Sequence, residues 1–134
     1  MSISNVSTQN NESFIRIVKK NIPLIFFDRK ANIDGVSSVT INDFEAGYKV
    51  TKHLIDQGCK RIAHLSGDLL FEIFKDRFLG YKQAIVDAGI EFNENYVIQT
   101  KSSIEDGKNA VKKLMKFEIP PDGIFSSSDF TALG

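Results

Sequence analysis

Residues 60–87 read KRIAHLSGDLLFEIFKDRFLGYKQAIVD, and the fold class follows from this stretch. Ile62, Ala63 and Leu65 come after a basic pair and form a short apolar run that stops at Ser66-Gly67. A run of this kind is the pattern of a strand covered on both faces in a parallel sheet. From Lys75 onward, Phe78, Leu79, Tyr81, Ile85 and Val86 recur at helical spacing, while Lys75, Asp76, Lys82, Gln83 and Asp87 take the opposite face. A strand is therefore predicted over Arg61 to Leu65, a loop over Ser66 to Lys75, and a helix over Asp76 to Ala88 that Gly89 closes. Arg77 stands near the start of that helix, close to where the strand's carboxyl end delivers the chain. Open α/β sheets bind ligands there, which makes Arg77 the first candidate site residue.

The same alternation of strand and helix continues on both sides. Toward the N-terminus, Ile3 has a strand-like setting, and Asn11-Glu12-Ser13 leads into a short helix carrying Phe14, Ile15, Ile17 and Val18 that ends at Asn21. Ile22 to Phe27 (IPLIFF) is the strongest strand signal, with its proline among the first positions, where a missing N–H is tolerated. It stops at Asp28-Arg29-Lys30, and Ala31 to Ser37, with Asp34-Gly35, reads as a connection between two compact units. Ser38 to Ile41 is a short strand, and Asn42-Asp43 with Glu45 opens a helix whose face of Phe44, Tyr48, Val50, Thr51, Leu54 and Ile55 runs to Gly58. Beyond the central stretch, Tyr96 to Gln99 is a strand and Ser103 starts a helix that gives way before Pro120-Pro121. Gly123 to Ser126 is the last strand, and Ser128-Asp129 caps a helix over Phe130 to Leu133.

Such an order describes βαβ units, hence an α/β protein with a parallel sheet and helices on both faces. With right-handed crossovers, the Arg61 strand is expected between the Tyr96 and Gly123 strands. The loops leaving the Arg61 and Gly123 strands would then diverge to opposite faces and leave a crevice between them.

Composition narrows the function classes. Seventeen Lys and Arg balance seventeen Asp and Glu, so there is no net charge and no basic stripe to attract a phosphate backbone. This segment alone is not expected to grip DNA. One cysteine, Cys59, excludes an intramolecular disulfide framework and fits a reducing cytoplasm. With only His53 and His64 besides, no zinc cluster can be assembled. No cofactor is implied, there being no phosphate-cradling glycine loop, and no nucleophile–base pair with an orienting group points to an enzyme. The polar start MSISNVSTQNNES lacks the features of a secretory signal, and no stretch approaches a membrane span.

Several pieces, IPLIFFDR, VTINDFEAGYKVTKHLIDQGCKRIAHLSG, DRFLGYKQAIVDAGI and PDGIFSSSDFTALG, occur in an order and spacing that resembles the effector-binding core of the lac repressor and purine repressor family of bacterial transcription regulators. The resemblance runs from about Ile22 to Gly134. It implies a periplasmic-binding-protein-like (type I) fold of two lobes, here incomplete. Residues 1–29 would end the first lobe, 30–37 would be the interlobe crossover, and 38–134 would form most of the second lobe. It also implies a sugar or nucleobase-like effector held between the lobes. Operator DNA would be bound through a helix-turn-helix domain that this chain lacks, by a homodimer when intact. A solute-binding protein for transport shares the fold and is the alternative.

The resemblance supplies the site expectations residue by residue. Arg77 is implied to contact the effector, since its planar five-donor fork suits vicinal hydroxyls or a carboxylate; the bland alternative is a surface arginine paired with Asp76 or Asp87. Asp28 is implied as a hydrogen-bond acceptor, or else is a turn residue, and Ser128 as a ligand contact, or else a helix cap. Phe71 and Ile73, in the apolar loop Leu69 to Phe74, and Ser102 complete the candidate effector-binding set. Phe71 and Phe74 could instead fill the loop's own core. His64, on a buried strand, reads as a core histidine.

Overall fold

The computed structural model describes residues 12–28 and 33–134. The strand expected at Ile3, and residues 29–32 at the start of the expected crossover, lie outside the described residues. The chain divides into two compact units, Met1–Ile41 and Asn42–Gly134.

In the first unit, helix α1 (Glu12–Lys19) buries Phe14, whose ring meets Phe26 edge-on at 5.0 Å. Strand β1 (Ile25–Phe27) pairs in parallel with β2 (Ser37–Val39), Phe26 lying opposite Ser38. One expectation changes here. The run from Ile22 is a strand only in its last three residues, and Ile25 and Phe27 remain 66% and 80% exposed. Phe26 turns onto Phe14, whereas no covering layer lies over its neighbours among the described residues, and an apolar run signals burial only where such a layer exists. The first compact unit ends at Ile41. Because β2 is hydrogen-bonded to β1, that strand goes with the first unit, and the second begins at Asn42.

The second unit runs α2 (Asp43–Asp56), β3 (Ile62–Ser66), α3 (Glu72–Asp87), a 3-10 turn (Glu94–Tyr96) leading into β4 (Val97–Gln99), α4 (Ile104–Leu114), β5 (Gly123–Ser126) and α5 (Asp129–Ala132). The strand order is β4-β3-β5, all parallel, so the Arg61 strand is central as expected. Every residue of β3 is buried. Its alternation divides the core: Ala63 and Leu65 pack with Tyr96, Ala110 and Leu114 toward α4, and Ile62 packs with Tyr81, Ile85 and Phe125 toward α3. Caps read from sequence form as expected, with Asn42 Oδ1 accepting the Glu45 N–H at 3.0 Å and Ser103 Oγ that of Asp106 at 3.1 Å. Helix α3 starts at Glu72, four residues before the predicted Asp76, which moves Ile73 and Phe74 out of the loop. The Phe74 ring lies against Gly67, where any Cβ would come within 2.5 Å of it, and so folds the chain back into the helix early.

Helices α2 and α3 touch backbone to backbone. A Cβ on Gly80 would collide with the Phe44 carbonyl and the Tyr48 nitrogen, and one on Gly47 with the Arg77 backbone. Alanine at position 80 improves helix propensity by about 1 kcal/mol, but it forces this crossing apart. We expect Gly80→Ala to destabilise the chain by roughly 1–3 kcal/mol, read from the urea midpoint; an unchanged or raised midpoint would show that the helices do not meet this closely.

His64 is fully buried in the α3-side core, its ring 5.0 Å from that of Tyr81 and 4.6 Å from that of Phe125. The Phe125 carbonyl, 3.1 Å from Nδ1, is an acceptor, so Nδ1 carries the proton, and Nε2 has no partner among the described residues. Burial lowers the His64 pKa to about 4, against the partial opposition of that hydrogen bond. The folded value lies below the ordinary 6.5, so the stability contributed by neutral His64 is complete above pH 6.5 and is lost as pH falls toward 4. Between pH 7 and 4.5 the chain should lose about 2 kcal/mol more stability than His64→Phe. Parallel urea titrations of the two proteins at both pH values measure this, and equal losses would contradict a buried neutral imidazole.

Candidate functional site

Three parallel strands bring their carboxyl ends together, so three loops of the second unit meet at one end of its sheet. Backbone and hydroxyl groups knit them. Leu65 O accepts from both Ser127 N–H and Ser127 Oγ, at 2.9 and 2.8 Å, and Ser66 O accepts from Thr100 N–H and Oγ1, at 2.7 and 3.0 Å. Beyond this floor the chain diverges: α3 leaves β3 on one face, and α5 leaves β5 to pack on α4, which lies on the other. A crevice at such a switch point is where open α/β sheets hold ligands.

Arg77 reaches into this end from the second turn of α3. Its Nε donates to Asp43 Oδ1 at 2.8 Å and its Nη1 to the Ser127 carbonyl at 2.6 Å. The side chains of the pair are 22% and 9% exposed. Neither Asp76 nor Asp87 is the partner; the carboxylate comes from a different helix. Two of five N–H donors are thus engaged, and the other three, two of them on Nη2, have no protein partner among the described residues. A half-buried guanidinium fixed on one edge and open on the other is suited to two oxygens of a ligand.

The remaining candidates separate by location. Ser128 occupies the N-cap position of α5, but its side chain makes no capping hydrogen bond, and its hydroxyl has no protein partner among the described residues. Ser102 follows β4 with a φ of 59°, in the left-handed region that disfavours a serine, and its hydroxyl likewise has no protein partner among the described residues. Such strain is found where surroundings hold a residue in place for a purpose. Phe74 packs on Gly67 and Phe71 meets it edge-on at 6.5 Å, which is the loop-core arrangement. Ile73 is half-buried in the first turn of α3. Asp28 belongs to the first unit, where it is exposed, has a φ of 71° and donates its N–H to Val39 O at 3.0 Å.

Two participants were not foreseen. Asp43 reads in the sequence as a residue of a helix cap, and its use as the arginine's partner depends on the glycine-mediated contact of α2 with α3. Ser127 contributes a carbonyl, which carries no side-chain signal at all.

Residues 5–134 match the family described as periplasmic binding proteins and sugar binding domain of LacI family. The HTH-type transcriptional repressor PurR of Mannheimia succiniciproducens is 30% identical over 113 residues, 84% of this chain and 34% of that protein. The HTH-type transcriptional regulator DegA of Bacillus subtilis is 33% identical over 116 residues, 87% of this chain and 34% of that protein. Among solved structures, the transcription regulator CcpA of Lactococcus lactis superposes with a TM-score of 0.78 at 29% identity, covering 96% of this chain and 46% of its own. A transcription regulator from Lactobacillus plantarum gives 0.83 at 25%, covering 98% and 48%. The chain thus spans about a third of the length of these curated relatives. Those relatives are regulators by name rather than enzymes, in keeping with the lack of a catalytic constellation in the sequence. The fold, the order of its elements and these matches agree that the chain belongs to the family described as periplasmic binding proteins and sugar binding domain of LacI family.

Proposed function

We propose that this chain is part of the effector-sensing core of a transcription regulator, and that a sugar or nucleobase-like molecule is held at the carboxyl ends of β3 and β5. The carrying observation is the Arg77 guanidinium, anchored by Asp43 and the Ser127 carbonyl while three of its donors have no partner among the described residues. Ser128 and Ser102 would add hydroxyl contacts, with Phe71 and Ile73 along the apolar side. Asp28 keeps the role that the resemblance gives it, an acceptor at the end of β1, as a proposal about the first unit alone. Operator DNA would be bound by a separate helix-turn-helix segment, as the names of the PurR and DegA relatives suggest, by a homodimer working in the cytoplasm. Balanced charge in this chain fits that division of labour, since phosphate attraction would have to come from elsewhere.

A charge-assisted, two-pronged contact in a partly enclosed cleft contributes roughly 1.5–3 kcal/mol. Arg77→Ala in the intact protein should therefore weaken effector binding about tenfold or more. Lysine should restore it only in part, because an ammonium cannot reproduce the planar fork. Operator binding without effector should persist. Calorimetric titration of both variants against a panel of pentoses, hexoses and purine bases checks this, and unchanged affinity for whichever compound binds the parent protein would refute the role of Arg77.

A further inference from the structure

At the amino end of β3, away from Arg77, the second unit has a cavity of about 440 Å³ that opens to solvent on one side. Small-molecule sites fall within roughly 300–1,000 Å³. The floor is apolar and fixed: Ile62 at the start of β3, Tyr81 and Ile85 of α3, and Tyr96 all line the cavity and are buried. Both tyrosine hydroxyls already donate to the protein, Tyr81 to the Ile62 carbonyl and Tyr96 to the Ile119 carbonyl, each at 2.7 Å. The Ile119 side chain stands at the edge, 61% exposed. The rim carries charge of both signs. Arg61 is committed, its Nε donating to the Pro120 carbonyl at 3.0 Å and its Nη2 pairing with Asp122 at 3.1 Å. Lys82 is likewise spent on the ring of Phe92, 4.8 Å from its centroid. Lys60, Glu91 and Glu94 line the cavity, are exposed, and have side chains without a protein partner among the described residues. Helix α3 ends between Ile85 and Ile90, which both line the cavity, and has no basic residue in its last turn. The partial negative charge of its carboxyl end therefore adds to that of the two glutamates.

We propose that this cavity is a second ligand site, distinct from the effector site proposed above and independent of it, and that it takes a free α-amino acid with an apolar side chain. One uncommitted cation and two uncommitted carboxylates around an apolar floor match a molecule that carries both signs of charge beside a hydrocarbon group. The ammonium would lie with Glu91 and Glu94 near the end of α3, the carboxylate on Lys60, and the side chain over the floor, where it covers Ile119. A neutral sugar would leave all three rim charges unanswered, and a simple carboxylate would meet two carboxylates of its own sign. Rim pairs of this exposure are weak, so each charge contributes about threefold to fivefold in affinity.

The test titrates the intact protein calorimetrically with four probes: L-phenylalanine, phenethylamine, which lacks the carboxylate, hydrocinnamate, which lacks the ammonium, and glycine, which lacks the side chain. L-Phenylalanine should bind about threefold or more tighter than each of the others. Lys60→Met should weaken L-phenylalanine by about threefold to fivefold and leave phenethylamine unchanged, and the Glu91→Gln, Glu94→Gln double variant should weaken L-phenylalanine without weakening hydrocinnamate. These side chains are exposed and make no core contact, so folding is not at stake; a thermal melt confirms it. Arg77→Ala should leave the binding of L-phenylalanine unchanged. No binding of L-phenylalanine up to its solubility limit, equal binding of phenethylamine or hydrocinnamate, or rim variants that bind L-phenylalanine as the parent does would each overturn the site. Loss of L-phenylalanine binding in Arg77→Ala would put the amino acid at the effector end and overturn this site too, whereas a sugar or purine base that proves indifferent to Arg77 overturns the effector reading and leaves the cavity standing.

Discussion

A strand with no exposed residue imposes its requirements on the whole second unit. Because β3 is buried along its full length, both neighbours must be strands that satisfy its backbone, and both faces must be covered by helices. Parallel pairing follows from the helical crossovers, and it brings three carboxyl ends to one place. The backbone groups at those ends, buried as they are, cannot remain unpaired. Ser127 and Thr100 each supply both a backbone N–H and a hydroxyl to the last carbonyls of β3, closing the floor with groups that leave no orphaned acceptor there. At the opposite end, Asp122 does the same work in reverse, accepting the N–H groups of Lys60 and Arg61 at 3.0 and 2.7 Å.

On that floor the Arg77 pair joins parts that are far apart in sequence. Asp43 opens α2, Arg77 belongs to α3 and Ser127 follows β5, so one guanidinium ties two helices to the end of a strand. Its geometry depends on the closeness of α2 and α3, which in turn depends on Gly47 and Gly80 having no side chains. Partial burial keeps the contact from being screened as a surface pair would be. A fork fixed by two protein acceptors has lost most of its freedom before any ligand arrives, which lowers the entropic cost of binding one.

Much of this was legible in the sequence, for identifiable reasons. The apolar run Ile62 to Leu65, the glycine stops at Gly58 and Gly89, and the caps at Asn42 and Ser103 are local signals, and the elements that depend on them formed where expected. The central position of β3 followed from crossover handedness, which is a rule about topology rather than about residues. What escaped notice was contact across elements. The early start of α3 is set by a phenylalanine ring on a glycine, and the pairing of β2 with β1 by a sheet that periodicity cannot reveal. The sequence singles out Arg77 but offers it carboxylate partners only on its own helix, Asp76 and Asp87, because sequence shows only neighbours along the chain. Ser128 showed the opposite limit: its residue type and position suited a cap, yet the hydroxyl makes no such bond.

The most direct test of the anchored and open guanidinium is a crystal structure of the intact protein soaked with its tightest-binding sugar or purine base. The account predicts ligand oxygens or nitrogens within hydrogen-bonding distance of Nη2 of Arg77, with the bonds from Nε to Asp43 and from Nη1 to the Ser127 carbonyl still in place. A ligand seated elsewhere, with Nη2 of Arg77 turned onto protein acceptors, would contradict it.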